Sequence, residues 1–303
     1  LVMGFALNKS EKVIAVSEFT KNEILKFYQN IKSEKIEVIY EGLRGEFFSD
    51  IKISQKCASS ETLASLSCLP AGMASGSAHS SSENLFSDAS QLYQKTPSKF
   101  SCGCSSEAHS CEILNDNNID CIPNSKFIFY TGVWRNHKNL VGLIRAFKIL
   151  KDKYKTTHKL VLGGSEDASY SEVRRAWEEL SLEKDIILTG FLDLKDQILL
   201  YRNCDLYVSP SFSEGFGFTP IEAMSQGAVV ALSDIPAHRE ISGDLPIFFD
   251  PTNIEDVAEK IYLALSDDDF RKKIEELGPG YTQKYQWQNC AQKTLNIYKY
   301  CAQ

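Results

Sequence analysis

The sequence lacks any apolar run that approaches the roughly 18–20 residues needed to cross a bilayer, so we expect no membrane-spanning segment. It also lacks an excess of basic residues, since 33 Lys and Arg are set against 40 Asp and Glu, for a net charge of −7. This balance argues against general nucleic-acid binding, which needs clustered Lys and Arg on phosphates. The opening LVMGFAL has no basic region and no small-residue cleavage site, so we do not interpret it as a signal peptide. The first residue is Leu1 rather than Met, and we expect the chain to be the remainder of a longer protein.

Cysteine is scarce outside one segment, residues 52–122. That segment holds six of the nine cysteines and 17 serines, but only three of the chain's Phe, Tyr and Trp residues. It shows neither helical nor strand periodicity, and it cannot bury enough apolar surface to offset the entropy of ordering. We therefore predict that residues 52–122 form a disordered insert. The three remaining cysteines are typical of a reducing compartment such as the cytoplasm: Cys204, Cys290 and Cys301.

The insert also contains a run of potential metal ligands, C-G-C-S-S-E-A-H-S-C, over residues 102–111. Structural zinc sites usually separate paired ligands by two to four residues, and the C-x-C and H-x-C spacings here differ from that pattern. We interpret them as incidental thiols in a low-complexity segment. The sequence has no G-x-x-x-x-G-K-[ST] phosphate loop either, and we expect neither a metal nor a cofactor.

After the insert, apolar strand-like runs alternate with helix-like segments to the end of the chain. Because these runs are continuous rather than alternating, both faces of the sheet should be covered by helices. This predicts an α/β fold with a doubly wound parallel sheet, followed by three helices after the last strand. Such sheets bind ligands at the carboxyl ends of their strands. The predicted strands are residues 127–132, 159–164, 185–191, 205–211, 228–234 and 246–251.

Residues 1–51 predict a smaller βαβ fragment. The runs KVIAVS and IEVIYEG are its predicted strands, at residues 12–17 and 36–42. Between them, Thr20 and Glu23 have capping-box spacing, which predicts a helix with its cap at Thr20. We divide the chain into three parts: residues 1–51, a remnant of a second Rossmann-like domain; 52–122, the insert; and 123–303, the ligand-binding domain.

The segment most suggestive of chemistry is SPSFSEGFGFTPIEAMSQG, residues 209–227. A predicted strand leads there into a loop with two glycines and then into a helix with Thr219 at its N-cap. Glu222 would fall at the third helical position, where a capping box with Thr219 is a structural explanation. Glu214 has no such explanation, because it precedes the glycine loop with no evident cap to make. The glycines let the backbone approach a ligand, and the amides of residues 215–218 could face an anion at the helix start.

The stretch E-G-F-G-F-T-P-I-E, from Glu214 to Glu222, resembles the E-x7-E signature of family 4 retaining glycosyltransferases, which have the two-domain GT-B fold. YTGVWRNHKNLVGLIRAF resembles the first strand, loop and helix of that family's donor domain. ILTGFLDLKDQILLYRNCDLYVSPS and ALSDIPAHREISGD resemble the stretches before and after the signature. The resemblance covers residues 123–303 almost continuously. KVIAVSEFTKNEI and IEVIYEGL additionally resemble the end of the acceptor domain and the crossing into the donor domain.

The resemblance implies roles for the residues of the signature. Glu214 would contact hydroxyls of the transferred sugar and place its anomeric carbon. Gly215, Phe216 and Gly217 would offer backbone amides to that sugar or to the distal phosphate. Glu222 would accept hydrogen bonds from the ribose, with helix capping as a second role.

The same resemblance implies that Arg135 and Lys138 clamp the diphosphate, where their charge would stabilise the departing nucleoside diphosphate. The alternative is that both are ordinary charges on a solvated loop. Gly132 would let a phosphate approach closely, or would be a plain turn glycine. Phe191 follows the strand near which the family places its nucleobase, although apolar packing alone also explains it. Four neighbouring polar residues are assigned structural roles: His137, His238, Arg239 and Glu240.

Together these features predict a retaining glycosyltransferase that moves a hexose from a nucleotide sugar to a saccharide or lipid-linked acceptor. TGVWRNHKNL and SDIPAHRE are similar to segments of mannosyltransferases of surface-polysaccharide biosynthesis, which makes GDP-mannose the expected donor. The expected location is cytoplasmic, with peripheral association at the membrane surface where the acceptor is lipid-linked.

Two other functions stay open at this point. Only eleven residues precede KVIAVS, too few for a full acceptor domain. The chain could therefore be a non-catalytic module that binds a nucleotide sugar or acts as a scaffold. A GT-B epimerase or phosphorylase is the third possibility, and the 209–227 segment disfavours it.

Overall fold

The computed structural model describes residues 2–48, 126–165 and 171–303. The insert predicted at residues 52–122 lies outside the described residues. Within the described ranges, no helix combines the length and the apolar character that a bilayer crossing requires.

Residues 2–48 form a small α/β segment with two parallel strands. Helix α2 begins at Glu18, because Ser17 is the cap residue and its Oγ accepts a hydrogen bond from the Thr20 amide at 3.0 Å. The predicted cap at Thr20 is therefore wrong, and Thr20 lies in the first turn. The elements are α1 (Val2–Lys9), β1 (Val13–Ala15), α2 (Glu18–Phe27) and β2 (Ile36–Val38).

The remaining described chain builds a six-stranded sheet in which every strand pair is parallel. Its strands are β3 (Phe127–Thr131), β4 (Lys159–Gly163), β5 (Ile186–Gly190), β6 (Leu206–Ser209), β7 (Val230–Ser233) and β8 (Ile247–Phe249). They are arranged in the order β5-β4-β3-β6-β7-β8. Each lies within or overlaps its predicted apolar run. This is the order of a doubly wound Rossmann-like sheet, as the sequence predicts.

Helices cover both faces of this sheet. The helices of this part of the chain are α3 (Leu140–Asp152), α4 (Glu172–Glu179), α5 (Leu194–Asn203), α6 (Phe218–Ser225), α7 (Pro236–Ser242), α8 (Ile254–Ser266), α9 (Asp268–Thr282) and α10 (Trp287–Cys301), of which α3 to α9 lie against the sheet. Helices α3, α4 and α8 pack on one face over Ile128, Leu160 and Leu206. Helices α5, α6, α7 and α9 pack on the other face over Phe129 and Tyr207. Neighbouring residues of one strand thus enter opposite cores, which explains why the strands are continuously apolar.

The last helix packs back onto the N-terminal segment. Gly42 lies so close to the start of α10 that a Cβ at this position would overlap the backbone nitrogen of Trp287. Near the other end of α10, the ring centroid of Tyr300 lies 5.3 Å from the ammonium of Lys12. The three helices predicted after the final strand are present as α8, α9 and α10.

Candidate functional site

The site lies where the sheet changes direction, between β3 and β6. The chain leaves β3 toward β4 but leaves β6 toward β7, on the opposite side. The paired register of the two strands ends at Phe129 and Tyr207, although both strands continue beyond it. Doubly wound sheets bind ligands in the crevice at such a position. We call this place the switch crevice, and the loops after β3 and β6 border it.

Lys138 of the first loop and Glu214 of the second form an ion pair across the switch crevice. The Lys138 Nζ lies 2.6 Å from Oε1 and 2.8 Å from Oε2 of Glu214. Ser211 Oγ donates a further hydrogen bond to Oε1 at 2.7 Å. The Lys138 side chain is 22% exposed and that of Glu214 is 12% exposed, so water screens this pair only weakly. The sequence predicts both residues for the site but does not predict that they contact each other.

Close backbone contacts shape the loop after β3. Gly164 follows β4 with φ +104°, and a Cβ there would overlap the carbonyl oxygen of Gly132. A short 3₁₀ turn ends at Lys138, and Asn139 then takes a left-handed φ of 53° before α3 begins. Arg135, the other predicted basic residue, precedes this turn and is exposed.

A backbone hydrogen bond joins the two loops. The Phe212 amide donates to the His137 carbonyl at 2.7 Å, so the main chain at this position connects the loops, and the loop-fixing role expected of the His137 side chain stays a prediction. Burial lowers the pKa of the His137 imidazole, and Lys138 lowers it further while Glu214 opposes the shift. His137 is therefore neutral at pH 7 and leaves Lys138 as the charged group of this turn.

Helix α6 begins earlier than predicted. Gly217 is its N-cap residue and has φ +93°, a conformation that L side chains rarely adopt. The helix starts at Phe218, so the predicted cap at Thr219 is wrong. The capping-box explanation of Glu222 is wrong for the same reason, because Glu222 lies two positions further into the helix than that motif requires.

Gly215 and Phe216 contribute backbone rather than side chains to the loop. The Phe216 ring is buried, with centroids 6.2 Å from Tyr40 and 5.8 Å from Tyr285. Only its amide and carbonyl can therefore serve a ligand. Gly215 is exposed, and no atom of the structure would crowd a side chain at this position, since the nearest lies 3.9 Å away.

Glu222 lies at a depth in the fold that the sequence did not indicate. Its Oε2 accepts hydrogen bonds from the Tyr201 hydroxyl at 3.0 Å and from the Gln197 amide at 3.1 Å. Burial raises the pKa of the Glu222 carboxyl, although the Tyr201 bond and the charge of Arg44 oppose the shift. Both donors go to one oxygen, so the other oxygen is the one a ligand would use.

Phe191 lies apart from this cluster. It follows β5, an edge strand of the sheet that is two strands away from β3. Its side chain is 85% exposed, which argues against the apolar-packing explanation. A ligand bound in the switch crevice would reach it only by extending across the end of β4.

Arg239 and Glu240, which the sequence assigns to structural roles, have different partners in the structure. Arg239 binds the carboxylate of Asp234 at 2.7 and 2.9 Å and lies 3.8 Å from the ring centroid of Phe248. Glu240 instead accepts hydrogen bonds from two backbone amides at the start of α2.

Two residues that sequence reasoning did not assign to the site touch its glycine loop. The hydroxyls of Ser17 and Thr20 both lie within hydrogen-bond distance of the Gly215 carbonyl. Their spacing is that of a helix cap, and nothing in the local sequence reveals a partner 198 residues away. Among the described residues, no group of three or more His, Cys, Asp or Glu side chains is placed to hold a metal ion. The Cys- and His-containing run at residues 102–111 lies outside them.

Comparison with known families bears on this arrangement. The sequence model of the family described as Glycosyl transferases group 1 matches residues 115–280, more than half of the chain and all of the loops around the switch crevice. This chain belongs to that family. The family assignment agrees with the resemblance noted in the sequence.

Curated relatives of this group 1 glycosyl transferase include mannosyltransferases. O-antigen chain mannosyltransferase B of Escherichia coli is 30% identical over 173 residues, which cover 57% of this chain and 45% of the relative. GDP-mannose:cellobiosyl-diphosphopolyprenol alpha-mannosyltransferase of Xanthomonas oryzae pv. oryzae is 28% identical over 178 residues, which cover 56% of this chain and 46% of the relative. The matched part of the chain corresponds to less than half the length of either relative.

A solved structure confirms the predicted GT-B fold. The glycosyltransferase from Rickettsia africae ESF-5 matches 98% of this group 1 chain and 66% of its own chain, with a TM-score of 0.68 and 22% sequence identity. At this identity the likeness bears on the fold alone.

Proposed function

We propose that this chain binds a nucleotide sugar in the switch crevice and transfers its hexose with retention of configuration. The expected donor is GDP-mannose, and the acceptor is a saccharide or a lipid-linked saccharide. The mannosyltransferase names of two relatives support the sugar, and one of those names includes both GDP-mannose and a polyprenol-linked acceptor. Peripheral association with a membrane follows from an acceptor of that kind.

The observation that carries the proposal is the ion pair of Lys138 and Glu214 across the crevice. A nucleotide sugar has a negatively charged diphosphate bonded to a sugar ring that bears several hydroxyl groups. An ammonium group suits the phosphate oxygens, and a carboxylate accepts hydrogen bonds from hydroxyls. Because the two groups are adjacent here, one ligand can engage both at the bond between sugar and phosphate.

The proposed chemistry depends on charge that develops on the leaving group. As the bond between the anomeric carbon and the phosphate oxygen breaks, negative charge grows on the nucleoside diphosphate. Lys138, Arg135 and the amides at the start of α6 would stabilise it. Glu214 would hold the sugar so that the acceptor hydroxyl attacks on the face from which the phosphate departs, which retains configuration. The proton of that hydroxyl would pass to the departing phosphate oxygen on the same face.

The remaining predicted residues complete the donor site. We assign the Oε1 of Glu222 to a ribose hydroxyl, since Oε2 already accepts two hydrogen bonds. Gly132 would admit a phosphate close to the backbone, and the exposed Phe191 would flank the base.

Calorimetry with GDP-mannose, UDP-glucose, ADP-glucose and bare GDP tests this proposal. We expect wild-type protein to bind GDP-mannose best. Glu214→Ala should weaken GDP-mannose binding at least tenfold but leave GDP binding nearly unchanged, because GDP has no sugar. Lys138→Ala should weaken both ligands, since both carry the diphosphate.

Two results would contradict the assignment. Wild-type protein that releases no heat with any of the four ligands would overturn nucleotide-sugar binding. Equal losses for GDP and GDP-mannose in Glu214→Ala would overturn the sugar contact of that residue.

Binding without transfer is the second candidate. Release of GDP from GDP-mannose in the presence of a polyprenol-linked saccharide distinguishes the two. Turnover supports the transferase, and tight binding without turnover supports the binding module.

A further inference from the structure

The glycine loop of the switch crevice is held by side chains from the N-terminal segment, outside the residues that the family model matches. Ser17 Oγ lies 2.6 Å from the Gly215 carbonyl oxygen, and Thr20 Oγ1 lies 3.1 Å from the same atom. A carbonyl oxygen has two lone pairs, and each hydroxyl has one proton to donate. The two hydroxyl oxygens also lie 2.9 Å from each other, so two protons serve three contacts. We assign the Ser17 proton to Gly215, its shortest contact, and the Thr20 proton to the second lone pair of the same carbonyl.

The helix that supplies these hydroxyls is itself fixed to the donor side. Glu240 of α7 accepts hydrogen bonds from the amides of Glu18 at 2.7 Å and Phe19 at 2.9 Å. These first-turn amides of α2 have no partner within the helix, and a carboxylate at a helix N-terminus is favourable. The next residue of α7, Ile241, lies 3.0 Å from the place where a Cβ of Gly217 would be. Helix α7 thus contacts both α2 and the Gly217 end of the glycine loop.

We infer that Ser17 and Thr20 are positioning residues for the donor loop, an inference that rests on the proposed function. The peptide between Gly215 and Phe216 is planar and trans, so its carbonyl and its amide point in opposite directions. Anchoring the Gly215 carbonyl on α2 therefore directs the Phe216 amide away from α2. Glycine permits many backbone conformations, and these two hydrogen bonds select one of them. The N-terminal segment in this way determines which backbone groups the donor meets.

Thr20 allows a clean test because its hydroxyl can be removed with little change of shape. Thr20→Val should weaken GDP-mannose binding about three- to tenfold, the effect of one hydrogen bond. Hydrogen exchange of the amides at 216–218 should accelerate by a similar factor. Thr20→Ser, which keeps the hydroxyl, should stay within about twofold of wild type in both measurements.

Ser17 needs a different control because it also caps α2. Asn253 caps α8 in the same way, accepting a hydrogen bond from the Asp256 amide, and does so away from the loop. Ser17→Ala and Asn253→Ala should lose similar thermal stability, but only Ser17→Ala should weaken GDP-mannose binding and speed exchange in the loop.

The outcomes separate the two proposals. If wild-type protein binds GDP-mannose and neither Thr20→Val nor Ser17→Ala changes affinity or loop exchange, the positioning role is overturned and the proposed function stands. If Asn253→Ala weakens binding as much as Ser17→Ala, the effect is general destabilisation and the positioning role is again overturned. If wild-type protein binds none of the nucleotide sugars, the proposed function fails and this inference fails with it.

Discussion

Glu222 gives a pH dependence whose sign can be worked out. Its carboxyl has an ordinary pKa of 4.5, and burial raises that pKa in the folded protein. Well below pH 4.5 the group is protonated in both the folded and the unfolded state, so its ionisation does not affect the free energy of unfolding there. As the pH rises, the unfolded chain loses this proton more readily than the folded chain does, and the wild-type protein loses stability.

Glu222→Gln should remove this loss. The amide oxygen can accept the hydrogen bonds of Tyr201 and Gln197 that now go to Oε2, and it carries no charge. We expect wild type and variant to have similar free energies of unfolding near pH 4, with the variant increasingly the more stable toward pH 7. Urea titrations at four pH values measure this, and a difference that shrinks with rising pH would refute the argument.

At the residue scale, local sequence patterns identify candidate site residues but do not reveal what their side chains contact. Glu214 and Lys138 each have a recognisable local pattern, but their ion pair depends on two strands meeting in space from positions 76 residues apart. Glu222 has a plausible cap in sequence and a different set of partners in the structure. Ser17 shows only the pattern of a helix cap, and its second bond depends entirely on the tertiary fold.

At the element scale, the start of α6 depends on one backbone conformation. Gly217→Ala should destabilise the protein by roughly 1–2 kcal/mol, the usual penalty for an L side chain in the left-handed region. The added methyl would also crowd Ile241 at 3.0 Å. Gly215→Ala is the matched control in the same loop, because it has open space around it, and we expect a change within about 0.5 kcal/mol. Denaturant midpoints measure both, and equal losses would contradict the assigned strain.

The helix starts show where local patterns fail. Both predicted caps, Thr20 and Thr219, lie inside their helices rather than before them. The true cap of α2 is Ser17, which accepts the Thr20 amide three residues on, a local pattern that the capping-box assignment at Thr20 overlooked. The true cap of α6 is Gly217, whose positive φ angle no spacing rule detects. The strands were predicted well because both of their faces are buried. Nearly every strand residue is therefore apolar, and such runs are recognisable in the sequence alone.

At the scale of the whole molecule, Gly42 determines how closely the N-terminal segment approaches α10. Gly42→Ala should cost about 1–3 kcal/mol, because its methyl group would occupy the position of the Trp287 backbone nitrogen and push the two segments apart. Gly45→Ala serves as the control, since no atom lies within 4 Å of its added methyl. Thermal unfolding and tryptophan fluorescence report the change, and identical behaviour of the two variants would contradict this contact.

The topology of the large sheet was predictable because strands and helices alternate regularly, and that pattern is compatible with few folds. The position of residues 2–48 against the sheet was not, because it depends on backbone contacts such as that of Gly42.

The pairing between β3 and β6 ends before the two strands do, and this affects how the sequence of the protein can evolve. The crevice exists because two chain paths diverge, and no individual loop side chain is needed to open it. Exposed loop residues there, such as Phe212 and Ser213, can be exchanged without repacking either hydrophobic core, whereas Trp134 and Phe216 belong to those cores. On the proposed function, a shift in preference from one donor sugar to another would require few substitutions, confined to the exposed parts of these loops.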